Sequence, residues 1–400
     1  MKYVVVLGDG MADRPIAELG DKTPLLYADT PMMDELAKKS EIGLVHTIPE
    51  GMSPGSDTAN LAALGYNPRQ YYTGRSPLEA LSIGVDMKTT DIALRCNIVT
   101  VSDDDLPYSE KTIIDHSSDE ISTEDAAILI DAVKKAFEDE TYKFYVGTSY
   151  RHLLIWDRGE VVPLTPPHDI LTRVIGSYLP ADEKLREMME KSYEILNNHP
   201  LNVKRALEGK NKANSLWFWG AGTRPALSNF TEKTGLKGCM ISAVDLLKGI
   251  AVGAEMKVVE VPGANGGLHT NYEGKADAAI KALLEDNCDY VYIHVEAPDE
   301  MGHQGNMKNK VQAIEYLDSR IIKPVYEALT KSGCDFRMLI MPDHPTPIEC
   351  RTHTSDPVPF MIYDSTDIKN TTYLYNESEA ARTGLDIPEG YRLMDRFIQK

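Results

Sequence analysis

Cysteine is scarce and unpatterned here: Cys96, Cys239, Cys288, Cys334 and Cys350 are odd in number, scattered, and never spaced Cys-x-x-Cys. That excludes a disulfide-stapled secreted scaffold and is expected of reduced, mostly buried thiols in a cytoplasmic protein. Long apolar runs are missing as well. No stretch approaches the roughly 20 residues of a membrane span, and Tyr3-Val-Val-Val-Leu7 is too short for the core of a signal peptide. Positive charge is in deficit, with 42 Lys and Arg against 61 Asp and Glu, a net −19. Such a surface repels nucleic acid and anionic membranes, so neither is expected as a partner. An anionic small substrate would need a local cationic pocket. No internal repeat, low-complexity tract or Walker-type phosphate loop occurs.

What is present begins with strand ends that carry acids. Tyr290–Val295 and Phe336–Met341 are short apolar runs suited to buried strands, and a proline-punctuated turn follows each. Beyond the first come Asp299 and His303; beyond the second come Asp343 and His344, with His353 on the following loop. Ligands collect at the carboxyl ends of strands in open α/β sheets. A lone Asp at a strand end more often ends a turn. Five such residues together point to a divalent metal site, with two ions expected, since imidazole suits Zn and transition metals and carboxylates also suit Mn and Mg. The first strand, near Lys2–Leu7, ends in Gly8-Asp9-Gly10, which makes Asp9 a sixth candidate.

Thr30-Pro31 signals a helix running to about Lys39, with Thr30 as its cap. A Gly- and Pro-rich loop, Ile48 to Gly55, then leads into an apolar helix that stops at Gly65. Ser56 stands where that helix starts. It reads either as an N-cap or as a nucleophile whose alkoxide a metal stabilises; no base lies nearby in sequence.

The middle of the chain reads as an insertion. Strand-like runs (92–101, 144–146, 153–156) alternate with helices from Ser122 or Thr123 to about Phe137 and from Asp182 to Leu196. Trp217-Phe-Trp219 returns to strand character, and the outer sheet resumes near Cys239. The expected organisation is a discontinuous α/β domain, 1–90 with 236–400, around an inserted α+β cap domain, 91–235. At 400 residues and 42% hydrophobic, the chain can bury two cores.

Several motifs then carry a resemblance: Asp9-Gly-Met, Ser53-Pro-Gly-Ser-Asp-Thr-Ala, Arg95-Cys-Asn, Gly220-Ala-Gly-Thr-Arg-Pro225, Ala297-Pro-Asp-Glu-Met-Gly-His303, Asp343-His344 and His353. In order and over nearly the whole chain, they resemble the cofactor-independent phosphoglycerate mutases, in the archaeal-type branch of the alkaline phosphatase superfamily. The resemblance implies an alkaline-phosphatase-like, doubly wound, mainly parallel sheet. It implies Ser56 as the phosphorylated nucleophile. It implies one divalent ion on Asp299, His303 and His353, and another on Asp9, Asp343, His344 and the Ser56 oxygen. Mn²⁺ is expected, with Zn²⁺, Mg²⁺ or Co²⁺ as alternatives, and no 2,3-bisphosphoglycerate is required. Paired ions clamp the attacking and leaving oxygens of an in-line phosphoryl displacement.

For substrate binding the candidates are Arg95, Arg151 with His152, Arg224 and Lys248, with Arg75 a weaker one; arginine's planar fork suits bidentate oxyanion contacts. Two residues depart from the branch pattern: Asn60 stands where His is usual, and Pro345 where Ser is usual. The implied activity is interconversion of 3-phosphoglycerate and 2-phosphoglycerate, with cap closure excluding water from the phosphoserine. A phosphotransferase from a nucleotide to a small hydroxy compound such as homoserine is the alternative. A phosphomonoesterase or phosphodiesterase and a purely structural metal site are further readings.

Overall fold

In the computed structural model, which describes residues 1–399, the chain forms two compact units, 1–72 with 226–400 and 73–225. The strands in chain order are β1 (Lys2–Gly8), β2 (Ser40–Val45), β3 (Asp91–Val101), β4 (Ile113–Asp115), β5 (Tyr142–Thr148), β6 (Arg151–Asp157), β7 (Ser215–Thr223), β8 (Gly238–Ile241), β9 (Lys257–Val258), β10 (Tyr290–Val295), β11 (Phe336–Met341), β12 (Val358–Asp364) and β13 (Asp386–Ile387).

The first unit holds an eight-stranded sheet in the order β13-β2-β12-β11-β1-β10-β8-β9. β1 lies between β11 and β10 and pairs parallel with both. β12 runs antiparallel to β11 and β2. The central strands are apolar because helices cover both faces, the usual condition of parallel strands. Val4, Val6, Ile293, Met338 and Ile340 share a core with Leu317 and Ile321. Three neighbouring strands therefore end on the same edge, and each is followed by an acid: Asp9 after β1, Asp299 on the helix Ala297–His303 after β10, and Asp343 after β11. Gly10 makes this convergence possible. It sits at φ +59°, and a Cβ there would lie 2.6 Å from Asp299 Oδ1 and 2.5 Å from Thr346 Oγ1, so only glycine fits.

In the second unit β3 is the long central strand, antiparallel to β4, β6 and β7, with β5 on β6. The helices Thr123–Phe137 and Glu183–Leu196 cover the sheet, capped by Ser122 and Asp182. Leu94, Ile98, Leu129, Met188 and Trp217 belong to its core. The unit starts earlier than position 91, because the helix Arg75–Ser82 packs here: Ser76 Oγ donates to the Gly220 carbonyl and accepts from the Arg95 amide at 3.0 Å. Residues 226–235 belong to the first unit, where Phe230 packs on Tyr290. Among the described residues no helix is long and apolar enough to cross a membrane.

One helix end departs from its local signal. Thr30 occupies the N-cap of the helix Pro31–Ala37, but its side chain makes no cap bond. Asp318 does that work from a π-helical turn far along the chain, accepting from Met32 N at 3.2 Å and Met33 N at 2.6 Å. Burial pushes the Asp318 carboxyl up to about 6 from its usual 3.8, against the pull of these two amides. Asp318→Ala leaves two buried N–H groups without an acceptor and should cost about 1–3 kcal/mol in urea unfolding. The raised carboxyl binds its proton more tightly folded than unfolded, so its stabilising effect is complete below 3.8 and falls as pH rises towards 6. Relative to Asp318→Asn, the wild type should therefore lose stability between pH 4 and pH 6.

Candidate active site

Ser56 is the first residue of the helix Ser56–Ala63, and Gly55 holds the N-cap position with no side-chain cap bond. The Ser56 hydroxyl is thus free of the capping duty that is the commoner role for serine at a helix start. Its Oγ lies 3.0 Å from His344 Nε2. The same nitrogen is 3.4 Å from Asp9 Oδ1 and 3.4 Å from Asp343 Oδ2. Asp343 is fixed by backbone amides, Gly10 N at 3.1 Å and His344 N at 2.9 Å, both on Oδ1. Asp9 is held on one oxygen alone: Oδ2 meets His294 Nε2 at 3.0 Å, while Oδ1 is buried with no hydrogen-bond partner.

A second group adjoins this one. Asp299 Oδ2 is 3.2 Å from His303 Nε2, and Oδ1 is 3.4 Å from His353 Nε2. The two Nε2 atoms face each other at 3.0 Å. His303 Nδ1 contacts the Arg351 carbonyl at 2.9 Å, and a carbonyl only accepts, so Nδ1 carries the proton. In the neutral ring, Nε2 then aims a lone pair into the cluster. Thr346 Oγ1 donates to Asp299 Oδ1.

The electrostatics follow from three buried acids, with Asp9, Asp299 and Asp343 exposing 2, 6 and 0% of their surface. Burial, then Asp343 and Asp299, push the Asp9 carboxyl well above its usual range. Burial also acts on Asp299, but hydrogen bonds from His303 and His353 outweigh it and hold that carboxyl well below. In return, Asp299 raises His303 to about 9. Burial lowers His344.

This donor set fits divalent cations. Asp9, His294 and Asp343 can offer atoms within 4.8 Å of one another, and so can Asp299, His344 and His353. The orphaned Asp9 Oδ1 is a buried acceptor that a cation would satisfy. All seven metal and nucleophile candidates from the sequence, Asp9, Ser56, Asp299, His303, Asp343, His344 and His353, meet in the first unit. His344 lies against both groups, its ring 4.1 Å from that of His353. His294 joins them from inside β10. Its signal was a histidine inside a strand that is otherwise apolar or aromatic.

The substrate-binding candidates divide. Arg95 is buried, paired with Glu79 through Nε at 2.7 Å and through Nη2, and its guanidinium lies 4.6 Å from the Trp219 ring centroid. Arg75 also binds Glu79, at 3.1 Å. His152 is buried in β6, where Nδ1 accepts from Gly147 N at 3.2 Å. Lys248 pairs with Glu260 at 2.8 Å. Arg151 and Arg224 are exposed, and among the described residues no carboxylate forms an ion pair with either; Arg151 lies over Tyr150.

Comparison with known proteins adds the following. The sequence description of 2,3-bisphosphoglycerate-independent phosphoglycerate mutase matches residues 37–202. The 2,3-bisphosphoglycerate-independent phosphoglycerate mutase of Methanosarcina acetivorans is 48% identical over 385 residues, covering 94% of this chain and 95% of its own. A solved Pyrococcus horikoshii protein is similar with a TM-score of 0.81 at 31% identity, covering 100% of this chain and 97% of its own. The cofactor-independent phosphoglycerate mutase from Thermoplasma acidophilum has a TM-score of 0.68 at 26% identity, covering 100% of this chain and 99% of its own.

Adding Mn²⁺ to chelator-treated protein at neutral pH should raise its melting temperature, and Asp299→Ala should blunt that rise. Because His303 in the metal-free protein holds a proton up to about 9, metal uptake must displace it, so calorimetric affinity should strengthen from pH 7 to pH 9.

Proposed function

Since this chain belongs to the 2,3-bisphosphoglycerate-independent phosphoglycerate mutase family, we propose that it interconverts 3-phosphoglycerate and 2-phosphoglycerate with no added bisphosphoglycerate. Such a reaction lies in glycolysis and gluconeogenesis. The observation that carries the chemistry is the Ser56 hydroxyl, spared from helix capping and 3.0 Å from His344 within a cluster of buried acids.

Ser56 Oγ attacks the phosphorus of 3-phosphoglycerate, forming a serine phosphoester as the bond to the substrate's 3-oxygen breaks. Glycerate then turns, and its 2-hydroxyl takes the phosphoryl group back, releasing 2-phosphoglycerate and restoring the serine. Ser56 stands at the positive end of its helix dipole, which favours the developing negative charge. Asp9, Asp343 and His344 with Ser56 would hold one divalent ion, and Asp299, His303 and His353 the other, with Mn²⁺ proposed at both. When bound, such ions supply Lewis-acid stabilisation of the phosphoryl oxygens and of the serine oxygen.

Arg151 and Arg224 are proposed as the guanidinium groups that take the substrate's phosphate and carboxylate, because among the described residues no carboxylate forms an ion pair with either. Lys248 is proposed as a further cation. Arg95 has its fork committed to Glu79 and His152 is walled in, so both are assigned to supporting the surface around them. Asn60 and Pro345 motivate the homoserine alternative, and of the two Asn60 turns inward: its Nδ2 donates to the Ser56 carbonyl and to Asp343 Oδ2. Both donors of its amide are thus engaged inside the protein.

An enolase-coupled assay should show turnover of 3-phosphoglycerate by the metal-loaded protein without added 2,3-bisphosphoglycerate, and Ser56→Ala should bring it to the detection limit. Mass spectrometry of protein quenched during turnover should find phosphate on Ser56. Labelling by ATP with no turnover of phosphoglycerate would sink the mutase reading. Arg151→Ala and Arg224→Ala should raise KM, by about 10-fold or more where a bidentate charged contact is lost.

A further inference from the structure

β10 is a central strand, and central parallel strands ordinarily carry apolar side chains on both faces. On one face this holds: Val291, Ile293 and Val295 lie in the core. On the other, Tyr292 and His294 bring polar heads into a place with no exposure to solvent. Side chains two apart point the same way from a strand, and here His294 meets a carboxylate of the candidate site directly while Tyr292 meets one through Asn60.

The two routes are short and fully bonded. Tyr292 OH donates to Asn60 Oδ1 at 2.6 Å, and Asn60 Nδ2 donates to Asp343 Oδ2 at 2.9 Å and to the Ser56 carbonyl at 2.8 Å. His294 Nε2 meets Asp9 Oδ2 at 3.0 Å; its Nδ1 meets Ser242 Oγ at 3.2 Å, and that hydroxyl accepts from Val244 N at 3.0 Å. As a metal ligand Asp9 must be ionised and then only accepts, so in that state Nε2 is the donor. With one ring proton, Nδ1 then receives the Ser242 O–H. The ring is fixed at both ends, and the rotation of the Asp9 carboxylate is fixed with it.

We propose that Tyr292 and His294 are positioning residues for the metal-binding carboxylates. His294 orients Asp9 so that Oδ1 is left for a cation. Tyr292 acts through Asn60, setting Asp343 and the backbone of Ser56 together. One face of one strand thereby aligns both acids of a single ion site with the nucleophile. Outer partners of this kind usually contribute about 10–100-fold to metal affinity. The inference rests on the metal-dependent reading of the site above.

The test is Mn²⁺ titration of chelator-treated protein, followed calorimetrically and by the electron paramagnetic resonance signal of free Mn²⁺. Tyr292→Phe removes one hydroxyl, and His294→Leu removes the donor to Asp9; each should weaken Mn²⁺ binding by about 10–100-fold. His294→Gln, whose amide can donate to Asp9, should recover part of that loss. Tyr290→Phe is the control, because Tyr290 lies on the same face of β10 with a buried hydroxyl that has no partner; it should bind as the wild type does. The melting temperature of each metal-free variant reports folding separately. Folded Tyr292→Phe and His294→Leu proteins that bind Mn²⁺ within about twofold of wild type would overturn the inference. If His294→Leu fails to fold, the Tyr292→Phe result decides. Wild-type protein that takes up no Mn²⁺ would overturn the metal-centre reading itself. Mn²⁺ binding without phosphoglycerate turnover would overturn the mutase reading and leave the positioning roles standing.

Discussion

Three carboxylates are forced together at the ends of three adjacent strands, out of reach of water, and most of the local architecture answers that repulsion. At an effective dielectric near 20, two like charges 4 Å apart cost about 4 kcal/mol, and Asp9 feels both Asp343 and Asp299. The chain tolerates this by surrounding the acids with donors. Asp343 takes two backbone amides and an asparagine, Asp299 takes a threonine and two imidazoles, and Asp9 takes the His294 imidazole, with His344 Nε2 at 3.4 Å from its other oxygen. The imbalance is informative. Burial and the neighbouring acids push the Asp9 carboxyl well above its usual range, and its Oδ1, buried without a hydrogen-bond partner, is the acceptor that a cation would satisfy.

The frame behind the acids is as costly as the acids themselves. Lys310 has no solvent exposure, and its ammonium bonds to the Ala12 carbonyl at 3.2 Å, Asp13 Oδ2 at 2.8 Å and the Thr346 carbonyl at 2.8 Å. It joins the loop after β1 to the loop after β11. Burying an ammonium is justified only where paired charge and carbonyls meet it fully. Here the return is a fixed spacing between two loops that carry ligands, and Thr346 passes that constraint on to Asp299.

Much of this was legible in the sequence because its signals are local. β10 and β11 stand at the expected positions, since buried parallel strands are continuous apolar runs and proline and glycine mark their ends. Asp299, Asp343 and His344 announced themselves by residue type just beyond those ends. What stayed hidden depends on partners far away in sequence. Thr30 has the composition of a cap, but Asp318 caps its helix from 285 positions away. Arg95 resembles a free oxyanion binder until Glu79 is found beside it. The sequence reading places the helix Arg75–Ser82 in the outer domain, 1–90, while its bonds to β3 and β7 tie it to the second unit. His294 was concealed by its neighbours: in a run reading Tyr-Val-Tyr-Ile-His-Val, one imidazole looks like a satisfied core histidine.

Asn60 shows how a departure from a family pattern can be read physically. Its side chain amide has two N–H donors, and both are used, one on the Ser56 carbonyl and one on Asp343 Oδ2, while its oxygen takes the Tyr292 hydroxyl. An imidazole, which the branch pattern places here, carries at most one N–H on each nitrogen and so cannot bind both acceptors from a single atom. Asparagine therefore couples the backbone of Ser56 to the Asp343 carboxylate through one planar group. With no exposure and no unused hydrogen-bonding atom, position 60 leaves nothing with which to contact a substrate. Variation there bears on how firmly the Ser56 backbone and the Asp343 carboxylate are held together.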